Sequence, residues 1–215
     1  MPRTSEDARS PGAARSPTGT PISSQGLEWL WQLLRDVRYP GVLDCGRVSP
    51  STVKLLLSRD ARLYVADVLA PLAAADARFW NRSGKVPIFL TAEFLNQFST
   101  APPGSLALIL CWNLFDLLPH EALPAVMARL FSLLQPLGVL FAVLREPSHS
   151  VGVEQRWWLE TMTAYRNESD PQRHFSYPVV TNREMERLAP NASIKTFLTR
   201  SGRREILVMR RPESE

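Results

Sequence analysis

Leu106-Ala107-Leu108-Ile109-Leu110-Cys111-Trp112 is a run of seven apolar residues without a charge. A half-buried strand alternates apolar and polar side chains, so a short run with no polar face reads as a strand covered on both sides, as in a parallel sheet. Parallel strands need crossover segments between them, and the chain on either side supplies these. Upstream, Gly41-Val42-Leu43-Asp44-Cys45-Gly46 is a short apolar run closed by glycine. Residues 49–58 then read as a helix with Ser49 as N-cap and Pro50 at the first helical position. Arg62-Leu63-Tyr64-Val65-Ala66-Asp67 follows as a second strand, residues 71–78 as a short helix, and Val86-Pro87-Ile88-Phe89-Leu90 as a third strand. Downstream, residues 120–135 carry Leu123, Val126, Met127, Leu130, Phe131 and Leu134 on one helical face, and Pro136-Leu137-Gly138 stops that helix before a strand at 139–144. Residues 151–166 read as a further helix and 181–188 as a short capped one. Residues 193–199 and 204–209 read as two strands around the Ser201-Gly202 turn.

This alternation implies an α/β domain with a doubly wound, mostly parallel seven-stranded sheet, helices on both faces and a C-terminal antiparallel hairpin. The composition agrees: of 215 residues, 45% are hydrophobic and 21% charged, the balance of a chain with one packed core. Residues 1–25, rich in Pro, Ser, Thr, Arg, Ala and Gly, carry too little apolar surface to offset chain entropy and read as a disordered tail. Glu6 and Asp7 argue against a transit peptide there. The domain is expected at 26–215, opening with a helix that repeats Leu27, Leu30, Trp31, Leu34 and Val37.

The net charge of +4 comes from arginines scattered toward the two ends, with no basic stripe interleaved with aromatics, which argues against a nucleic-acid partner. Two cysteines, Cys45 and Cys111, sit in apolar runs, so neither a disulfide framework nor a metal cluster is expected. No run reaches the roughly 18 to 20 apolar residues of a membrane span, and the first residues lack the apolar centre of a signal peptide. The expected compartment is the cytoplasm.

In a sheet of this kind ligands lie outside the carboxyl ends of the strands, at the switch in strand order. Four segments there, Val42-Leu43-Asp44-Cys45-Gly46, Tyr64-Val65-Ala66-Asp67, Thr91-Ala92-Glu93-Phe94-Leu95 and Leu108-Ile109-Leu110-Cys111-Trp112-Asn113, resemble in order and spacing the class I S-adenosylmethionine-dependent methyltransferases. The likeness extends to Leu134-Gln135-Pro136-Leu137-Gly138 and the terminal hairpin, about residues 26–210. It implies a Rossmann-like fold, S-adenosylmethionine as cofactor and transfer of its methyl group, with Asp44, Gly46, Asp67, Glu93 and Asn113 as cofactor-binding residues. Asp67 would take the ribose hydroxyls and Glu93 the adenine amino group. Each has a plainer reading, as a loop or helix-capping acid for Asp44 and Asp67 and as a solvated first-turn acid for Glu93.

The glycine loop departs from the family pattern: Gly46-Arg47-Val48-Ser49-Pro50 keeps the first glycine alone. A β-branched Val48 in place of a glycine is expected to obstruct the methionine end, since it avoids positive φ and fills space that ligand would use. Trp112, Trp157 and Trp158 are candidate substrate-binding residues, with Tyr165, His174, Phe175 and Tyr177 completing an aromatic wall suited to a small planar acceptor. Packing on the sheet explains them equally well. Asp116, His120 and Glu121 contain the elements of an acid and base pair but read better as helix-start residues, and His149 has no evident partner. Two functions remain open: methyl transfer to a small molecule, which needs mainly positioning, and a catalytically inactive relative kept for binding or interaction. A dinucleotide oxidoreductase fits less well, because pyrophosphate needs glycine where Val48 stands.

Overall fold

All residues of Leu106–Trp112 are buried, as a strand with helices on both faces demands. The computed structural model describes residues 20–98, 101–146, 152–175, 178–199 and 202–212. In chain order the elements are β1 (Ile22–Ser23), α1 (Gln25–Leu33), β2 (Gly41–Asp44), α2 (Pro50–Leu57), β3 (Arg62–Val65), α3 (Leu69–Ala73), β4 (Trp80–Asn81), β5 (Ile88–Phe89), α4 (Thr91–Leu95), β6 (Leu106–Trp112), α5 (Leu123–Leu133), β7 (Leu134–Arg145), β8 (Gly152–Thr161), β9 (Ala164–Phe175), α6 (Asn182–Leu188), β10 (Ala192–Leu198) and β11 (Arg203–Arg210). The main sheet has the order β10-β11-β7-β6-β2-β3. Strands β7, β6, β2 and β3 run parallel, and β11 and β10 close the sheet antiparallel. From β2 the chain moves outward to β3 and then crosses to β6 on the other side, so the switch point is the crevice between β2 and β6.

The α/β class, the parallel centre and the terminal hairpin agree with expectation. The strand count does not, for among the described residues the main sheet has six strands rather than seven. In the segment expected as the third strand, Ile88–Phe89 alone is extended, and it pairs with Trp80–Asn81 instead of β3. Pro87 lacks the N–H that a ladder needs. Phe89 is held elsewhere, 5.5 Å from Phe94, which stacks edge-on with Phe79 and Phe98.

The helix expected at 151–166 is a second correction, since this segment forms a β-hairpin, β8–β9, turning at Met162 and Thr163. Trp157 and Leu159 are buried while Arg156 is exposed and Trp158 and Glu160 half-buried, a period of two rather than 3.6. The hairpin lies over α2, where the Leu159 N–H donates to Thr52 Oγ1 at 2.9 Å. Residues 22–25, placed in the tail by the sequence, are also part of the fold. Ile22–Ser23 pairs with β9, and the buried Ser24 caps α1 by accepting from the Leu27 N–H at 2.9 Å. Among the described residues no helix is long and apolar enough to cross a membrane.

Candidate functional site

At the carboxyl end of β2 the chain turns through Asp44 and Gly46, and the Gly46 N–H donates to Asp44 Oδ1 at 2.9 Å. The same oxygen accepts from the indole Nε1–H of Trp112 at 2.7 Å. Trp112 lies at the end of β6, fully buried, with φ of +52°. A β-carbon on Gly46 would stand 3.1 Å from the Trp112 ring. The close approach that glycine permits in this loop is therefore made by an indole of the chain itself. Val48, by contrast, is 53% exposed and has no positive φ. The space over Gly46 is thus occupied by the Trp112 ring and not by Val48, which faces outward.

Burial pushes the Asp44 carboxyl up to about 6, against the hydrogen bonds from Gly46 and Trp112, and the nearby Asp67 charge acts in the same upward direction. Asp67 follows β3, exposed, at φ +43°. The flanking N–H groups of Ala66 and Val68 donate to the Asp44 and Cys45 carbonyls, which fix this turn beside β2. The Asp67 carboxylate makes no hydrogen bond with the described residues and faces solvent at the strand end. Glu93 lies in the first turn of α4, also exposed. Asp67 and Trp112 are non-glycine residues in the left-handed region on either side of one crevice, a placement that stores backbone strain of about 1–3 kcal/mol each.

The hairpin contributes the covering wall. Trp157 is buried, donates from Nε1 to Asn113 Oδ1 at 2.8 Å, and stacks on Trp112 with centroids 6.0 Å apart and planes 9° from parallel. Tyr165 and Phe141 meet Trp112 edge-on. Asp44, Gly46, Trp112, Asn113 and Trp157 thus form one connected site. Trp158 points to the other face of the hairpin by strand alternation, Asp67 stands at the open end of β3, and Glu93 is exposed on α4.

Beyond Asn113, Asp116 is fully buried. Its Oδ2 accepts from the Arg145 N–H at 2.9 Å, and its Oδ1 lies 3.6 Å from Arg145 Nε. Burial raises its carboxyl, opposed by Arg145, Arg203 and Arg204. His120 joins Pro178 O and Glu184 rather than Asp116, and Glu121 is exposed, so no acid and base pair forms there. His149 and Tyr177 lie outside the described residues, as do the side chains of His174 and Phe175. Among the described residues no group of three or more His, Cys, Asp or Glu converges as for a metal ion. Sequence reasoning missed Arg203, whose guanidinium carbon sits 5.2 Å from the Trp157 ring centroid. A cation at the start of the last strand gives no local signal of this.

No family model matches the sequence, and no curated protein matches it. Solved structures match over most of the chain. An S-adenosylmethionine-dependent methyltransferase from Mesorhizobium loti aligns at a TM-score of 0.50 with 13% identity, over 86% of this chain and 98% of that one. The N-methyltransferase NodS from Bradyrhizobium japonicum WM9 aligns at 0.49 with 15% identity, over 87% and 94%. The 1,6-didemethyltoxoflavin-N1-methyltransferase of Burkholderia thailandensis, solved with bound 1,6-didemethyltoxoflavin and S-adenosylhomocysteine, aligns at 0.48 with 14% identity, over 88% and 80%. With its parallel centre, its switch at β2 and β6 and its antiparallel closing strands, this chain has the fold of the class I S-adenosylmethionine-dependent methyltransferases.

Proposed function

We propose that the chain binds S-adenosylmethionine at the carboxyl ends of β2, β3 and β6 and transfers its methyl group to a small molecule, and that Trp112 gates the site. The observation that carries this reading is the hydrogen bond from Trp112 Nε1 to Asp44 over Gly46. A carboxylate that accepts an N–H above a glycine suits the ammonium of a methionine moiety, and here an indole N–H takes that place. The nucleoside end would meet Asp67, which offers an exposed carboxylate to two ribose hydroxyls, and Glu93, exposed in the first turn of α4, is the candidate for the adenine amino group. The methionine end fits once the Trp112 ring has turned away from Gly46. Strained backbone at Asp67 and Trp112 supports a position with two arrangements, since such strain collects at switches and ligand clamps.

When bound, the cofactor supplies an electrophilic methyl group on a sulfonium. The work of the chain is to hold the two reactants in line and to exclude water, for which Trp157, Tyr165 and the hairpin pinned at Thr52 are placed. The two unpaired, fully buried thiols Cys45 and Cys111 suit a reducing compartment, the cytoplasm.

Calorimetric titration with S-adenosylhomocysteine tests the reading. Trp112→Ala should bind at least tenfold tighter than wild type, and Asp67→Ala at least tenfold more weakly, about 1.4 kcal/mol in each case. If neither wild type nor Trp112→Ala binds at millimolar ligand, the reading fails. The second reading, an inactive relative kept for binding or interaction, then stands. Its support is the completeness of the Trp112, Trp157, Tyr165 and Phe141 packing, which fills the crevice with the chain's own rings.

A further inference from the structure

We propose that Arg203 is the anion-binding residue of this site and that the small molecule held there carries a carboxylate. The inference rests on the small-molecule site proposed above and specifies its ligand. β11 runs antiparallel to β7, so its first residue comes to the carboxyl end of the parallel strands, where Arg203 pairs with Arg145. The arginines around it are committed. Arg145 lies against Asp116, Arg166 against Glu160, and Arg204 donates to the carbonyls of Arg145 and Val180 and to Asn182. Arg203 differs: its guanidinium makes no hydrogen bond or ion pair with the described residues, although burial is the main influence on it and pulls its pKa down. Arg203 is half-buried, and a partly desolvated cation pairs more strongly with a bound anion than one in bulk water does.

The geometry indicates which anion. The Arg203 guanidinium carbon lies over the Trp157 ring, and a guanidinium that rests a face on an indole keeps its N–H edge free, the fork that a carboxylate matches with two parallel hydrogen bonds. Asp116 is not that partner, because its oxygens are turned to Arg145. A phosphate dianion calls for more than one free cation, and the neighbouring arginines are engaged. A single fork with no partner among the described residues therefore suits a monoanionic carboxylate. Trp157 links this fork to the crevice, since the same indole lies under Arg203, donates to Asn113 and stacks on Trp112. With Asn113 Oδ1 occupied by that bond, the group Asn113 has left to offer is its Nδ2 donor. Once the Trp112 ring has turned away, an apolar body attached to the carboxylate would extend from Arg203 along the Trp157 indole into the space that ring now fills.

The test is calorimetric titration of the full chain with 2-naphthoate and its neutral counterpart 2-naphthamide, in the absence of any cofactor, on wild type and in the Trp112→Ala background. Arg203→Gln removes the charge, and Arg203→Lys keeps the charge without the fork. Thermal unfolding confirms that each variant is folded. The expected result is that naphthoate binds at least tenfold tighter than naphthamide, that Arg203→Gln abolishes the difference, that Arg203→Lys keeps a minor part of it, and that 10 mM inorganic phosphate does not displace naphthoate. Equal binding of acid and amide, equal binding by Arg203→Gln, displacement by phosphate, or no binding of naphthoate in either background overturns the proposal. Because the cofactor is absent, failure here is separate from failure of S-adenosylhomocysteine to bind. A chain that takes naphthoate through Arg203 but not S-adenosylhomocysteine keeps this site and loses the methyltransferase reading.

Discussion

Replacing Asp44 by Asn should make the protein more stable at neutral pH, although the side chain is buried and accepts two hydrogen bonds. Burial raises its carboxyl from 3.8 to about 6, which means that the fold prefers the neutral form despite the N–H groups of Gly46 and Trp112. The sign follows from linkage: between those values the folded chain holds a proton that the unfolded chain has released, so stability present below about pH 4 is lost as pH rises through 6. At about 1.36 kcal/mol per pH unit, the gap amounts to a penalty of about 3 kcal/mol at pH 7. Asparagine keeps an acceptor for both donors and carries no charge. Urea unfolding at pH 4, 5, 6 and 7 should show Asp44→Asn and wild type converging near pH 4, with the variant up to about 3 kcal/mol more stable at pH 7. In thermal unfolding this is roughly 6 to 12 °C for a domain of this size. The raised carboxyls of Asp116 and Glu205 give slopes of the same sign in both proteins, so the difference between the two curves isolates Asp44. A variant less stable than wild type at pH 7, or a difference that does not change between pH 4 and 7, refutes the reasoning.

Leu110→Ala, in the fully buried centre of β6, should cost about 2–5 kcal/mol in the same urea assay, and a cost near zero would remove β6 from the core. Thr181 and Glu184 form a reciprocal capping box at the start of α6, so Thr181→Ala should lose about 1 kcal/mol, while Thr181→Ser should recover most of it.

What the sequence discloses of this fold depends on how local the cause is. Seven apolar residues in a row suffice for β6, and Thr181 with Glu184 three positions later suffices for the α6 cap, because the interactions lie within one turn or one strand. The hairpin β8–β9 is less legible. Glu154, Gln155, Arg156 and Glu160 are good helix formers, and the evidence against a helix is that Trp157 and Leu159 face a crevice built by residues far away in the chain. The missing third strand is a similar case. Val86 and Ile88 suit a strand by type yet stand 72% and 62% exposed, because Pro87 weakens any ladder and the phenylalanine cluster captures Phe89.

The site divides along the same line. The positions of its candidate residues were legible one at a time, since strand ends after a parallel sheet are few and Asp44, Gly46, Asp67, Trp112 and Asn113 lie at or just beyond them. Their partners were not, because the deciding bonds join Trp112 to Asp44 across 68 positions and Trp157 to Asn113 across 44. A local rule about glycine therefore pointed to Val48 as the obstruction, while the fold turned Val48 outward and brought an indole to Gly46 from the neighbouring strand. The surviving glycine is still required, for the reason glycine is required in such a loop: something must approach its backbone closely. In this chain the approaching group is Trp112, and whether it yields to a ligand depends on its bond to Asp44, whose carboxyl burial raises to about 6.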